Sequence, residues 1–375
     1  MSKYKKHIVI DARIRQASTG RPVARLLEHL QDIDTDHRYT MILNKKDDWQ
    51  PTAKNVTAVQ TRFPMFSFNP LNQLLYAVQL YRLKPDLTYF MMTPQSPMFF
   101  FGKQMTFTHD LTMFKFVRQG KLPLPLHKLR MVGYRLLMWQ AHRKAEHVLT
   151  PTEYVSDDVS KRYLFVNRKI SFAHEASEPP LPGKALEPTT VTGEYIMYTG
   201  SSFPHKNLER LISAFCVLKE QHPDLKLVLV GKREKHSKDL EKWANAHHPE
   251  ECLNDIIYTG FIPDEELKWY YENALAYVFP SLAEGFGLPG LEAMVHGCPV
   301  VSSNYSCMPE VHGDAAHYFN PEDIQDMATK IDEVISKPAL RKKLIEKGYE
   351  NVKRFSWRKF ANEHVKLFKK LLKED

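Results

Sequence analysis

The chain has 375 residues, of which 43% are hydrophobic, 26% charged and 11% aromatic; this is too long for one ordinary core and excludes a disordered or fibrous class. No apolar run reaches the roughly 18 residues needed to cross a bilayer, and Met1 to Lys6 leads into a short strand rather than a signal-peptide core, so the chain reads as cytoplasmic. The net charge of +8 hides an imbalance, because residues 1–190 hold 28 Lys plus Arg against 16 Asp plus Glu, while residues 191–375 hold 24 against 28.

In the first half, short apolar runs recur at His7–Ile10, Tyr39–Leu43, Thr88–Met91, Met105–Thr108 and Val148–Thr150, with helical stretches between several of them. This is the βαβ rhythm of a Rossmann-like sheet. Ser18-Thr19-Gly20-Arg21 forms a glycine loop ahead of a helix carrying Val23, Leu26, Leu27 and Leu30. Asp32-Ile33-Asp34-Thr35-Asp36 has an Asp-x-Asp spacing suited to a divalent cation. It follows a helix and precedes a strand, however, which puts it at the amino end of the sheet, opposite the ligand-binding edge; it reads as a solvated loop. Phe63–Pro70 leading into Leu71–Leu83, and the stretch His127–His147, mix aromatic, aliphatic and basic residues. That mixture suits a membrane interface and equally a core helix with a basic outer face. His109 ends an apolar strand in Thr106-Phe107-Thr108-His109-Asp110-Leu111, where a histidine faces a ligand or simply packs.

Glu178-Pro179-Pro180-Leu181-Pro182-Gly183, followed by Glu187-Pro188-Thr189-Thr190, cannot continue a helix or sit inside a sheet and reads as a linker at 179–193. The βαβ rhythm resumes at Tyr195–Tyr198, Lys226–Val230, Ile256–Tyr258, Leu275–Phe279, Val300–Ser302 and Ala316–Phe319. Domains are therefore expected at 1–178 and 194–355, with a last helix at 356–375 capped by Ser356. After the first of these strands, Lys206 stands near the start of the helix beginning at Leu208, where a cation is disfavoured unless an anion such as a diphosphate lies close. Lys232 follows the next strand and offers a second cation, and Phe261 follows the third. The segment from Pro280 to Met294 is the most informative: Glu284 stands just past a buried parallel strand, Gly285 and Gly287 allow close backbone approach, Pro289 suits a helix start and Glu292 lies eight residues after Glu284. Cys216, Cys252, Cys298 and Cys307 lack a Cys-x-x-Cys pair and read as reduced, packed thiols.

The Glu284–Glu292 segment resembles the Glu-x7-Glu motif of family 4 of the retaining glycosyltransferases, the glycosyl transferases group 1, whose α/β GT-B fold has two Rossmann-like domains facing across a cleft. The resemblance implies an N-terminal acceptor domain, a C-terminal nucleotide-sugar domain and a terminal helix crossing back to the first. It implies Glu284 at the transferred sugar and Glu292 at the nucleotide ribose. Gly285, Phe286, Gly287 and Leu288 would border the donor, Lys206 its diphosphate, Phe261 its base, and His109 the sugar. Gly20 would lie beside the phosphates. Family members often carry an Arg after the first glycine of the loop at Gly200; Ser201 stands there, which leaves a charge that Lys232 or Arg233 would supply, Arg233 reading rather as part of a solvated turn. The implied activity is retaining, metal-independent transfer of a hexose, mannose or glucose, from a nucleoside-diphosphate sugar to a glycan or lipid-linked acceptor in polysaccharide biosynthesis. No cofactor is expected beyond the donor. Peripheral contact of the basic half with the inner face of a membrane belongs to this reading, and nucleic acid does not. The rivals are a sugar-nucleotide epimerase and a non-enzymatic protein that binds nucleotides or anionic surfaces.

Overall fold

The computed structural model describes residues 4–17, 19–116, 124–189 and 191–374. Ser18 of the glycine loop and Thr190 of the linker lie outside them. The first sheet contains β1 (His7–Asp11), β2 (Arg38–Asn44), β3 (Val56–Thr61), β4 (Leu87–Phe90), β5 (Gln104–Phe107), β6 (His147–Thr150) and β7 (Ile170–Phe172), in the order β3-β2-β1-β4-β5-β6-β7. The second contains β8 (Tyr195–Thr199), β9 (Lys226–Val230), β10 (Ile256–Gly260), β11 (Ala276–Phe279), β12 (Val300–Ser303) and β13 (Ala316–Phe319), in the order β10-β9-β8-β11-β12-β13. Every pairing recorded among the described residues is parallel. Parallel strands need crossovers, and the helices that provide them cover both faces of each sheet; β1, β4, β5, β11 and β12 are accordingly buried along their whole length.

Strand order reverses between β1 and β4 in one sheet and between β8 and β11 in the other. At such a switch point the loops leaving the two strands diverge and open a crevice beyond their carboxyl ends. The chain divides into two compact units: Met1–Leu111, Gln119–Glu175 and Ser356–Asp375 form the first, and Thr112–Arg118 with Ala176–Phe355 the second. The last helix, Trp357–Leu372, thus belongs to the first unit, where the Phe368 ring lies 5.6 Å from Tyr89 and His364 Nε2 accepts from the Tyr89 hydroxyl at 2.9 Å. Ser356 caps that helix through the Lys359 amide.

Three expectations are corrected. β3 and β7 are additional edge strands; each shows solvent a good part of its surface, so neither carries the apolar run that marks a buried strand. Cys216 and Cys252 are not free thiols but a disulfide joining the Leu208–Leu218 helix to the Glu250–Leu253 helix, with their Cα atoms 5.5 Å apart. Asp34 is not solvated: it is 3% exposed, and its carboxylate accepts from the Tyr39 hydroxyl at 2.7 Å and pairs with His37 Nδ1 at 2.6 Å. Asp36 pairs with Lys5 at 2.9 Å.

Candidate functional site

In the second unit the site grows from the switch point between β8 and β11. The loop leaving β8 makes one 3-10 turn, Pro204–Lys206, and then passes through Asn207 in the left-handed region (φ 61°), a conformation asparagine tolerates better than most residues. The Leu208–Leu218 helix begins only after that turn, so Lys206 sits just ahead of it. Asn207 is buried, and its side-chain amide donates to the carbonyls of Pro280 (3.0 Å) and Pro321 (2.7 Å), tying the loops after β8, β11 and β13 together. The Leu282 amide donates to the His205 carbonyl at 2.8 Å and closes the same seam.

This stitching brings the Lys206 ammonium onto the Glu284 carboxylate, both largely shielded from water, with side-chain exposures of 15% and 13%. Glu284 is held at its backbone too: its amide donates to Ser306 Oγ (3.0 Å), and that hydroxyl donates back to the Glu284 carbonyl (2.8 Å). A cation and a carboxylate are thereby fixed side by side in the crevice where a polar ligand of a doubly wound sheet binds.

Beyond Glu284 the chain turns through Gly287 (φ 90°), the N-cap of the Leu288–Val295 helix. A Cβ at Gly290 would lie 2.2 Å from His312 Nε2, so the helix can approach this buried histidine only because the position is glycine. Burial pushes the His312 pKa down to about 4, which keeps the ring neutral. Phe286 turns inward, 4% exposed and 5.5 Å from the Phe355 ring. Leu288 opens the helix and is half-buried. Glu292, also half-buried, lies further along it; its Oε2 accepts from the Tyr271 hydroxyl at 3.5 Å and its carbonyl from His296 Nδ1 at 2.7 Å.

Ser201, Lys232 and Phe261 each follow a glycine at the carboxyl end of β8, β9 and β10. Gly200 donates to the Val230 carbonyl (2.9 Å) and Gly231 to the Gly260 carbonyl (3.3 Å), so the three residues stand on adjacent strands of one edge. A Cβ on Gly231 would lie 2.1 Å from the Gly200 carbonyl, which is why this rim carries no side chain there. Phe261 is not core: it is 80% exposed. Lys232 is exposed without an ion pair among the described residues, whereas Arg233 beside it is held by both oxygens of Glu241 at 2.6 and 2.7 Å.

The first unit holds the remaining two candidates. His109, past the end of β5, is half-buried and its Nε2 donates to the Met91 carbonyl at 2.9 Å; burial lowers its pKa, leaving a neutral ring whose Nδ1 carries the lone pair. Gly20 closes the loop after β1, where a Cβ would lie 2.1 Å from the Arg15 carbonyl. Sequence reasoning missed three groups. Asn207 and Ser306 build the seam, and both adopt left-handed backbone, which an asparagine after a lysine turn hints at and a serine does not. Glu175, just past β7, is 5% exposed, and burial drives its carboxyl up to about 8 against the pull of Arg21; nothing in the sequence around it signals this.

Residues 187–351 match the family model described as Glycosyl transferases group 1. An O-antigen chain mannosyltransferase B from Escherichia coli is 34% identical over 178 residues, which cover 47% of this chain and 46% of that protein. A serotype-specific mannosyltransferase WbdA from the same organism is 30% identical over 61% of this chain and 28% of its own length. The chain thus spans less than half the length of these relatives. A sucrose-phosphate synthase structure from Thermosynechococcus elongatus, 18% identical, superposes with a TM-score of 0.73 over 98% of this chain and 99% of that one. The fold is therefore the two-unit α/β fold of GT-B glycosyltransferases.

Proposed function

We propose that this chain belongs to the glycosyl transferases group 1 family, whose model matches residues 187–351, and that it moves a hexose, mannose before glucose, from a nucleoside diphosphate to a hydroxyl of a glycan or lipid-linked acceptor. The names of the relatives, O-antigen and serotype-specific mannosyltransferases, favour mannose and a surface polysaccharide as product. The observation that carries the reading is the Lys206–Glu284 pair at the β8–β11 switch point.

The chemistry follows from charge. As the bond from the anomeric carbon to the diphosphate oxygen breaks, negative charge grows on the phosphate and the ring becomes oxocarbenium-like. A preorganised ammonium lowers that barrier without reorganising during the reaction. Lys206 takes the phosphate charge, and Glu284, beside it, accepts from sugar hydroxyls. Glu292 takes the ribose hydroxyls, Phe261 offers its open face to the base, and Lys232 and the backbone around Ser201, Gly285 and Gly287 border the phosphates. The acceptor oxygen attacks the face the phosphate leaves and passes its proton to the departing phosphate oxygen, so configuration is retained without a covalent intermediate or a metal. Trapping a glycosyl-enzyme would overturn that route.

The test is calorimetric binding of UDP, GDP and ADP in the absence of metal. One nucleotide is expected to bind. Glu292→Ala should weaken it about tenfold, the worth of a lost hydrogen bond to a charged group, whereas Glu284→Ala should reduce turnover far more than nucleotide affinity. Equal losses of affinity in both would contradict the roles, and binding without sugar transfer to any acceptor would favour a non-enzymatic nucleotide-binding protein.

A further inference from the structure

The first unit carries an unusual outer face. On the Leu124–Lys144 helix, Leu126, Leu129, Val132, Leu136 and Trp139 recur at spacings of three and four and are 44 to 67% exposed, while Leu137, Met138 and Ala141 point into the core. On the Pro70–Leu83 helix, Leu71, Leu74, Leu75, Val78 and Tyr81 form a second stripe, 36 to 59% exposed. The stripes adjoin. A Cβ at Gly133, in the middle of the longer helix, would lie 2.9 Å from the Phe68 ring at the start of the shorter one. Between their other ends sits the 98–101 loop, whose Phe101 amide donates to the Tyr81 hydroxyl at 2.8 Å; Lys144 donates to the carbonyls of Pro97 (2.6 Å) and Phe100 (2.9 Å) and lies 5.4 Å from the Phe101 ring. Phe101 itself is 74% exposed. Scattered surface apolar residues need no explanation, but a continuous face of them marks an interaction site.

Charge selects the occupant. From residue 49 to 145 the chain has 13 Lys and Arg and only two acids, Asp86 and Asp110. Lys128, Arg130, Arg135 and Arg143 are exposed on the longer helix beside its apolar stripe. Where the shorter helix meets the carboxyl ends of β2 and β3, a groove of about 600 Å³ is lined by Lys45, Arg62 and Arg82 together with Phe63, Leu75 and Val78. None of these three cations pairs with a carboxylate among the described residues. A like-charged face of this kind repels a second copy of itself, whereas an anionic bilayer matches both its apolar and its basic groups.

We propose that this face docks the protein on an anionic phospholipid membrane, with the apolar stripes in the headgroup–acyl boundary and a lipid phosphate in the Lys45–Arg62–Arg82 groove. The inference takes from the proposed function only that a lipid-linked acceptor lies at a membrane. It is tested without any transfer step, so either can fail alone.

The full chain is sedimented with vesicles of phosphatidylcholine alone and of phosphatidylcholine mixed with phosphatidylglycerol. Partitioning should be at least about tenfold stronger onto the mixed vesicles and should fall as salt is raised, since each cation near an anionic surface is worth about fivefold. Leu129→Glu with Val132→Glu should remove about tenfold or more of it, and Arg62→Glu with Arg82→Glu a similar amount; all four positions are exposed, and an unchanged circular-dichroism melting curve reports that the variants fold. Inorganic phosphate should not displace the protein. Equal binding to both vesicle types, binding undiminished in either double variant, or displacement by inorganic phosphate would overturn the proposal, the last in favour of a soluble phosphorylated ligand. So would a vesicle-free dimer, seen by light scattering, that Leu129→Glu dissociates.

Discussion

At the residue scale, Lys206 shows how a position unfavourable for folding becomes intelligible at a site. A cation just ahead of a helix faces the positive end of its dipole, which costs a few tenths of a kcal/mol to about 1 kcal/mol. Here Glu284 offsets the cost, and a diphosphate in the same place would do so too. Lys206→Ala should therefore lower kcat/KM by about 10²–10³, the usual loss when one preorganised group facing developing charge is removed, in a protein still folded at the assay temperature although its melting temperature falls, because the largely shielded Glu284 loses its cation. A drop in melting temperature large enough to account for the lost activity would mean that the pair serves only the fold. Both members were legible in the sequence because each follows an apolar strand and stands beside a residue that breaks regular structure. Their direct contact was not, since it depends on Asn207 reaching two carbonyls more than 70 residues away. Nor could the sequence separate the two uses of glycine in the same segment: Gly290 is needed for His312 to pack, not for a ligand.

At the scale of elements, central strands and the helices between them follow from apolar runs, and what escapes is decided by position in the sheet. Strand β3 lies at the edge, so its outer residues face water and the run is broken. The terminal helix is readable as a helix, but the partner it docks on is a matter of long-range contacts. One of those contacts titrates. His37 Nδ1 pairs with Asp34 at 2.6 Å and Nε2 with Glu374, just past that helix, at 2.8 Å. Burial opposes the charged ring, yet the two carboxylates outweigh it and raise the His37 pKa above 6.5. Burial likewise opposes ionisation of Asp34, and the hydrogen bonds from His37 and Tyr39 win, holding it at about 2. For a raised histidine the stabilisation is complete below its unfolded value of 6.5 and is lost as pH rises through the folded value; for the depressed aspartate, about 2 kcal/mol is lost as pH falls from its ordinary range towards 2. The melting temperature should thus decline both on the alkaline side of His37 and in strong acid. His37→Ala should flatten the alkaline limb, and identical profiles for the two proteins would remove the triad from the stability of this unit.

Across the whole molecule, two sheets wound in the same way divide the work between their ends. The candidate ligand groups all follow the carboxyl ends of strands: Lys206, Ser201 and Glu284 after β8 and β11, Lys232 and Phe261 after β9 and β10, His109 after β5 and Gly20 in the loop after β1. The Asp-x-Asp run lies at the opposite end, before β2, and two of its three members are engaged: Asp34 with His37 and Tyr39, Asp36 with Lys5. A divalent ion held there would sit at the amino end of the first sheet, away from the loops at the carboxyl ends of its strands. Among the described residues no group of three or more histidines, cysteines and carboxylates is placed to hold a metal elsewhere. In the proposed reading the charge released on the leaving phosphate falls to Lys206 and the backbone amides around it. Sugar transfer from a radiolabelled nucleotide sugar should consequently proceed at an unchanged rate in excess EDTA. If chelation abolishes transfer and magnesium or manganese restores it, the metal carries the phosphate charge, the donor brings its ion from solution, and Lys206 is left with the smaller task of orienting Glu284.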